Sequence, residues 1–214
     1  MTLPIIVLGS GGHAKVVLDV VRLMKKEVIG ITTRELNMAD RTWLGYRVLG
    51  DDNALTRYSP SAIRLVNAVG SVQTMEARKM LYEKFKALGF SFEQVIHPMA
   101  IVALDTVLGE GVHAMAGAVI QPGSRIGDNS IINTRASVDH DCDIGRHVHI
   151  APGCTLSGNV TVGDETHIGT GAIVLQGARI GRRCLVAAGA VVRSAVDDGD
   201  RVAGVPARSM AKNA

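Results

Sequence analysis

Aromatic side chains are nearly missing from this chain of 214 residues, with three Phe, three Tyr and one Trp, 3% in all. That scarcity, with 24 glycines, suits a narrow interior filled by aliphatic and small residues. Charge is also in short supply. The net balance is only +3 with no basic cluster, which speaks against a nucleic-acid surface. No long apolar run exists. The apolar start, residues 3–8, is too short to span a membrane and lacks both a basic leader and a cleavage site. A cytoplasmic location with no membrane partner is the expectation.

What the chain does have is a repeat. From residue 102 to 192 an aliphatic residue returns at every sixth position: Val102, Leu108, Ala114, Ile120, Ile126, Ile132, Val138 and onward to Val192. Four residues after most of these sits a small residue, such as Ala118, Ser124, Ala136, Cys142 or Ala172. A period of six fits neither a helix nor a plain strand, but it fits a solenoid whose coil has three flat sides. Gly109, Gly127, Gly145, Gly163 and Gly181 stand eighteen apart, so three hexads make one coil and the run holds about five coils. This column of glycines suits a corner where the backbone bends sharply. Residues eighteen apart then stack in a parallel ladder at roughly 4.8 Å.

The three cysteines, Cys142, Cys154 and Cys184, all take the small inward slot, and none stacks on another. Neither a disulfide nor a metal site is expected, and reduced core thiols suit a cytoplasm.

Ahead of the repeat, residues 5–8 read as a buried strand that runs into Gly9, Ser10, Gly11, Gly12, His13 and Ala14. A helix follows, then a second strand over 28–31. A Gly-rich turn aimed at a helix N-terminus favours a phosphate. Where dinucleotide folds close the second strand with an acidic residue, this chain has Thr32 and Thr33. The unit also ends near residue 97, so nucleotide-phosphate binding is favoured over NAD. Further strands are expected at 47–49 and 65–69, a helix cap at Asp51 and Asp52, and a helix over 75–88. Two domains result: a Rossmann-like unit over 1–97 and a β-helix with a tail over 98–214.

The hexad run resembles the left-handed parallel β-helix of the hexapeptide-repeat acyltransferases. With the Gly-Ser-Gly-Gly-His turn, His97-Pro98 and the tail Gly204-Val205-Pro206-Ala207-Arg208, the whole chain resembles the sialic acid O-acetyltransferase and bacillosamine N-acetyltransferase (NeuD/PglD-like) family. That resemblance implies a homotrimer, with acetyl-CoA lying between adjacent β-helices and a sugar nucleotide held by the N-terminal unit. It implies an acetyl-CoA-dependent N-acetyltransferase acting on a nucleotide-linked 4-amino-4,6-dideoxy sugar in bacterial glycan synthesis. Sugar O-acetylation is the alternative within the same chemistry, and a non-catalytic binding or scaffold β-helix the alternative outside it.

On the residues, the stretch Ser137-Val138-Asp139-His140-Asp141-Cys142 resembles the family's catalytic turn, so His140 is the expected general base. Asp141 stands where close relatives have Glu, and would orient the imidazole. By register His140 points outward beside Gly158, eighteen residues on, whose N–H would donate to a thioester oxygen. Gly171, Ala172, Ala188 and Gly189 are small residues late in the prism that would let the pantetheine arm of acetyl-CoA lie close to the backbone. The resemblance places Pro206 and Arg208 near the far end of CoA. The turn from Gly9 to His13, with Thr32 and Thr33 where some relatives have acidic residues, is the expected acceptor site, and the resemblance adds His13 and His149 to it. His113, His147 and His167 are expected on an exposed face or a subunit contact. Two of the three outward columns carry apolar groups, which oligomer contact would cover.

Overall fold

The computed structural model describes residues 3–35 and 41–210. Residues 36–40, with the outer ends of both expected domains at 1–2 and 211–214, lie outside the described residues. Two bodies share the chain. The first is an α/β unit in which β1 (Ile5–Leu8) lies between β2 (Val28–Thr32) and, after the hairpin β3 (Thr42–Trp43) and β4 (Tyr46–Arg47), β5 (Arg64–Asn67). All three central strands run parallel. The strand expected at 47–49 does not form: Arg47 ends the hairpin, and Val48 makes an isolated parallel bridge to Ile31. Their apolar runs are buried, as a sheet covered on both faces requires. Helices α1 (Gly12–Leu23) and α2 (Glu76–Ala87) supply the covers, and a 3₁₀ helix (Asp52–Arg57) is capped by Asp51, which accepts from the Asn53 N–H at 2.9 Å.

From β6 (Val95–Ile96) onward every strand is two or three residues long, and three parallel sheets enclose a triangular prism. One face carries the column His113, Ile131, His149, His167, Leu185, and we call it the histidine face. The second carries Ile101, Val119, Ser137, Thr155, Ile173, Val191. The third carries Val107, Arg125, Asp143, Thr161, Arg179. The second face has six rungs, so there are nearer six coils than five. The aliphatic residue of each hexad fills the prism, and Ile120, Val138, Leu156 and Val174 are fully buried. All three thiols are free and buried inside it, and burial pushes each thiol pKa up.

The glycine column has a different cause from the bend expected of it. The left-handed residue of that corner comes two places later, at Gly111, Asn129, His147, Glu165 and Arg183. The glycines are needed because the next coil passes close: a Cβ on Gly127 would lie 2.6 Å from the Gly145 carbonyl carbon.

The α/β unit docks on the histidine face, and this overturns the expectation for its histidines. His113, His147 and His167 are buried, not exposed, because their own N-terminal unit covers them. Tyr82 of α2 packs its ring edge-on to His147, and His13 of α1 stacks on His113 with ring centroids 5.6 Å apart. Arg78 of α2 is the bolt of this seam. Its guanidinium is fully buried and donates to the carbonyls of Asn67 and Val69 on one side and of Asn129 and Gly111 on the other. Of the two apolar columns, one is therefore covered within the chain. The second face leaves apolar groups wet, with Ile101 64% and Ile173 40% exposed.

Candidate functional site

Residue Leu8 of β1 sits level with Thr32 of β2 and Asn67 of β5, so the turn after each strand opens at one edge of the sheet. Ligands of parallel α/β sheets bind at such an edge. There the structure has a cavity of about 1150 Å³ between the α/β unit and the prism. Gly9, Ser10, Gly11, Gly12, His13, Thr32 and Thr33 all line it, as does His149 from the prism. The sequence motif and the hexad register thus converge on one space. Gly9 needs its freedom, with φ at +111°, whereas a Cβ on Gly11 or Gly12 would meet nothing within 4 Å. Those two leave an open backbone at the start of α1, whose cap Gly11 offers no side-chain acceptor. Free N–H groups and the positive end of a helix dipole at such a start favour an anion.

Thr32 and Thr33 are buried and work inside the protein: Thr32 Oγ1 donates to Asp52 Oδ1 at 2.8 Å, and Thr33 Oγ1 lies 2.6 Å from Ser10 Oγ. Two carboxylates line this end of the cavity, Glu35 and Asp52, the latter placed by sequence reasoning only as a cap. Ser71, next to Gly70 in the segment that follows β5, was also missed. The rule that sites gather at the carboxyl ends of parallel strands would have found it. Its Oγ lies 2.6 Å from His149 Nδ1 and 3.2 Å from His167 Nδ1. Asn133, another cavity residue, places Nδ2 2.9 Å from His149 Nε2. Both ring nitrogens of His149 are therefore engaged by the protein. Burial, with His167, His13 and Arg78 adding repulsion, lowers the His149 pKa to about 3. Burial and then Arg78 bring His13 to about 3. These rings are neutral at physiological pH.

The wall nearer the tail includes Pro152, Gly169, Thr170, Ala187, Ala188, Arg201 and Met210. Gly171 and Gly189 follow this wall on the same prism edge, left-handed and open, with nothing near a Cβ. Ala172 does not belong there. It fills the small inward slot and is fully buried, so its side chain reaches no ligand. In the tail, strand Arg201–Ala203 pairs antiparallel with Arg208–Ser209, while Pro206 and Arg208 lie outside the cavity lining.

His140 and Gly158 stand elsewhere. They occupy the edge between the second and third faces, one face away from the cavity. His140 is exposed, and its Nδ1 lies 2.8 Å from Asp141 Oδ2. That bond is the main reason its pKa is raised above the usual 6.5. With Nδ1 satisfied, Nε2 is the free basic nitrogen. It hangs directly over Gly158, where a Cβ would sit 2.5 Å from it. Among the described residues the Gly158 N–H has no acceptor. One edge thus holds an imidazole beside an open backbone N–H, and another holds a cavity with a helix N-terminus in its wall. No group of three or more His, Cys, Asp or Glu among the described residues is placed to hold a metal. Nor is any described helix long and apolar enough to cross a membrane.

Comparison with known proteins agrees part by part. Residues 4–85 match the PglD N-terminal domain, and residues 105–136, 124–158 and 159–194 match the bacterial transferase hexapeptide of six repeats. Among solved structures, the chain superposes on perosamine N-acetyltransferase from Caulobacter crescentus, a variant in complex with CoA and GDP-perosamine. The TM-score is 0.91 at 38% identity, with 99% of each chain covered. The acetyltransferase domain of PglB from Neisseria gonorrhoeae, in complex with acetyl coenzyme A, gives 0.87 at 36% over 98% of this chain and 100% of that one. WeeI from Acinetobacter baumannii gives 0.86 at 26% over 98% and 100%. No match was found among curated protein sequences. A PglD-type α/β unit docked on a hexapeptide prism, with full-length likeness to two such enzymes, places this chain in the PglD-like, hexapeptide-repeat family of acetyl-CoA-dependent sugar N-acetyltransferases.

Proposed function

We propose that this enzyme acetylates the amine of a nucleotide-linked 4-amino-4,6-dideoxy sugar for a bacterial glycan, working as a cytoplasmic homotrimer. The observation that carries the reading is the cavity, which joins the open N-terminus of α1 to a wall of the prism. The diphosphate of the acceptor sits at residues 9–13 and its sugar reaches toward the prism.

In a single chain His140 lies a face away from that sugar. A threefold arrangement that buries the wet second face brings the His140 edge of one copy to the cavity edge of the next. Acetyl-CoA lies in the resulting groove, along Gly171, Ala188 and Gly189, with Pro206 and Arg208 near its far end. The His140 Nε2 takes a proton from the amine as nitrogen attacks the thioester carbon. The Gly158 N–H donates to the carbonyl oxygen as it becomes negative. The C–S bond then breaks, and the proton on His140 passes to the departing sulfur. Asp141 keeps Nε2 the free nitrogen throughout.

The test is thiol release from acetyl-CoA by the purified protein, offered GDP-, UDP- and dTDP-linked 4-amino sugars and the free amino sugar. One nucleotide form should give an amide product far faster than the free sugar. A free sugar acetylated as fast, or no thiol release with any acceptor, overturns the reading.

A further inference from the structure

The hydrogen bonds around His149 fix the proton positions of a chain of groups that crosses the seam between the two bodies. The Thr134 N–H donates to Asn133 Oδ1 at 2.7 Å, which settles the orientation of that amide. Its Nδ2 therefore donates to His149 Nε2, and His149, being neutral, carries its proton on Nδ1. That N–H donates to Ser71 Oγ. The Ser71 hydroxyl has one proton left to give, and the second group beside it is His167 Nδ1 at 3.2 Å. His167 is then an acceptor at Nδ1 and holds its own proton on Nε2. His167 lines the cavity, and its ring packs edge-on to His149 with centroids 4.9 Å apart.

We propose that His167 presents its Nε2–H to the cavity as a fixed donor for an oxygen of the acceptor sugar, and that Ser71 is the positioning residue that holds it in that tautomer. The proposal rests on the acetyl-transfer reading above for the identity of the ligand. The sugar end is favoured by position. His167 stands three rungs beyond His113, roughly 14 Å along the prism at about 4.8 Å per rung, and so lies away from the diphosphate turn at His13. In a threefold assembly equivalent coils sit level, which puts His167 at the height of the neighbour's Gly158 and close to the reacting amine. His149, with both nitrogens engaged, becomes a link in this chain and not itself a donor to the sugar.

Two measurements decide it. Nitrogen-15 NMR of histidine-labelled oligomer, without substrate, should show His149 protonated on Nδ1 and His167 on Nε2; the reverse assignment for either ring overturns the relay. The second is kinetic, with the best acceptor among the GDP-, UDP- and dTDP-linked 4-amino sugars. Ser71→Ala and His167→Asn should each raise the KM for that sugar about tenfold, the loss of one hydrogen bond, with kcat and the KM for acetyl-CoA little changed. Ser71→Thr, which keeps the hydroxyl, and His167→Gln, whose amide N–H falls near the imidazole Nε2–H, should stay near wild type. Asn and Gln behaving alike, or Ser71→Ala lowering only thermal stability, would show that the contacts are structural and sink the proposal. Because the NMR arm needs no substrate, it decides the relay even if no nucleotide sugar is acetylated.

Discussion

The imidazole of His140 lies over the backbone of Gly158, one coil on, so closely that a single methyl group at residue 158 would occupy its place. The ring is exposed and free to swing aside, so Gly158→Ala should fold and assemble normally. It should nonetheless lose roughly two decades of kcat, because base and oxyanion donor are separated together. His140→Ala should fall at least as far, with acetyl-CoA binding intact. Steady-state kinetics with the true acceptor checks both, and activity within threefold of wild type for His140→Ala would mean the base lies elsewhere.

Asp141 raises the His140 pKa chiefly through its hydrogen bond to Nδ1. A base is active when deprotonated, so the rate of wild type should fall as pH drops through a value above 6.5. Asp141→Asn removes the charge and should move that acid limb to lower pH, while kcat on the plateau drops on the order of tenfold as the ring loses its orientation. An unmoved limb in the pH profile of kcat/KM would contradict the assignment.

Acid should loosen the seam between the two bodies. His13 and His149 have pKa values held down to about 3, and His147 to about 4, burial being the main cause in each. In the unfolded chain these rings take up protons near 6.5, whereas the folded protein refuses them. Stability is thus full above about 6.5 and declines as pH falls from there toward 3, by about 2 kcal/mol per deeply buried ring at pH 5. Urea midpoints measured from pH 7.5 to 4.5 should fall across this window. A flat response down to pH 5 would rule the effect out.

Arg78 has no carboxylate partner among the described residues, only carbonyls from both bodies. Burial lowers its pKa to about 9, which leaves it charged at neutral pH. Arg78→Met should cost about 3–5 kcal/mol, since it strands several buried acceptors at once. Arg78→Lys should cost nearly as much, because one ammonium cannot reach carbonyls on two sides. Chemical denaturation that placed either variant within 1 kcal/mol of wild type would show the bolt to be dispensable.

The prism was legible because its rule is local: a residue's place in the hexad states whether it points in or out. The same rule set His140 beside Gly158 eighteen residues apart. It could not say what covers the outside. His113 and His167 point outward from the prism, as their register requires, and are buried all the same because α1 and α2 lie across them. That contact joins residues far apart in sequence and leaves no period to detect. Arg78 and Ser71 escaped for the same reason, each looking like one more polar residue on a helix or loop. Ala172 shows the opposite failure: its slot was known to point inward, yet its small size beside Gly171 drew it to the acetyl-CoA wall.

The placement of His140 and the cavity on different edges of one prism also has a genetic meaning. In the proposed trimer each working centre takes its cavity from one subunit and its His140 from the next. A subunit that cannot bind the sugar and a subunit without His140 are each dead alone, yet they supply each other's missing half. Co-expressed, they should restore roughly a quarter of the centres by random assortment. Two recessive null alleles of this one gene would then complement in the same cell, while both lesions placed on one chain would never be rescued by themselves.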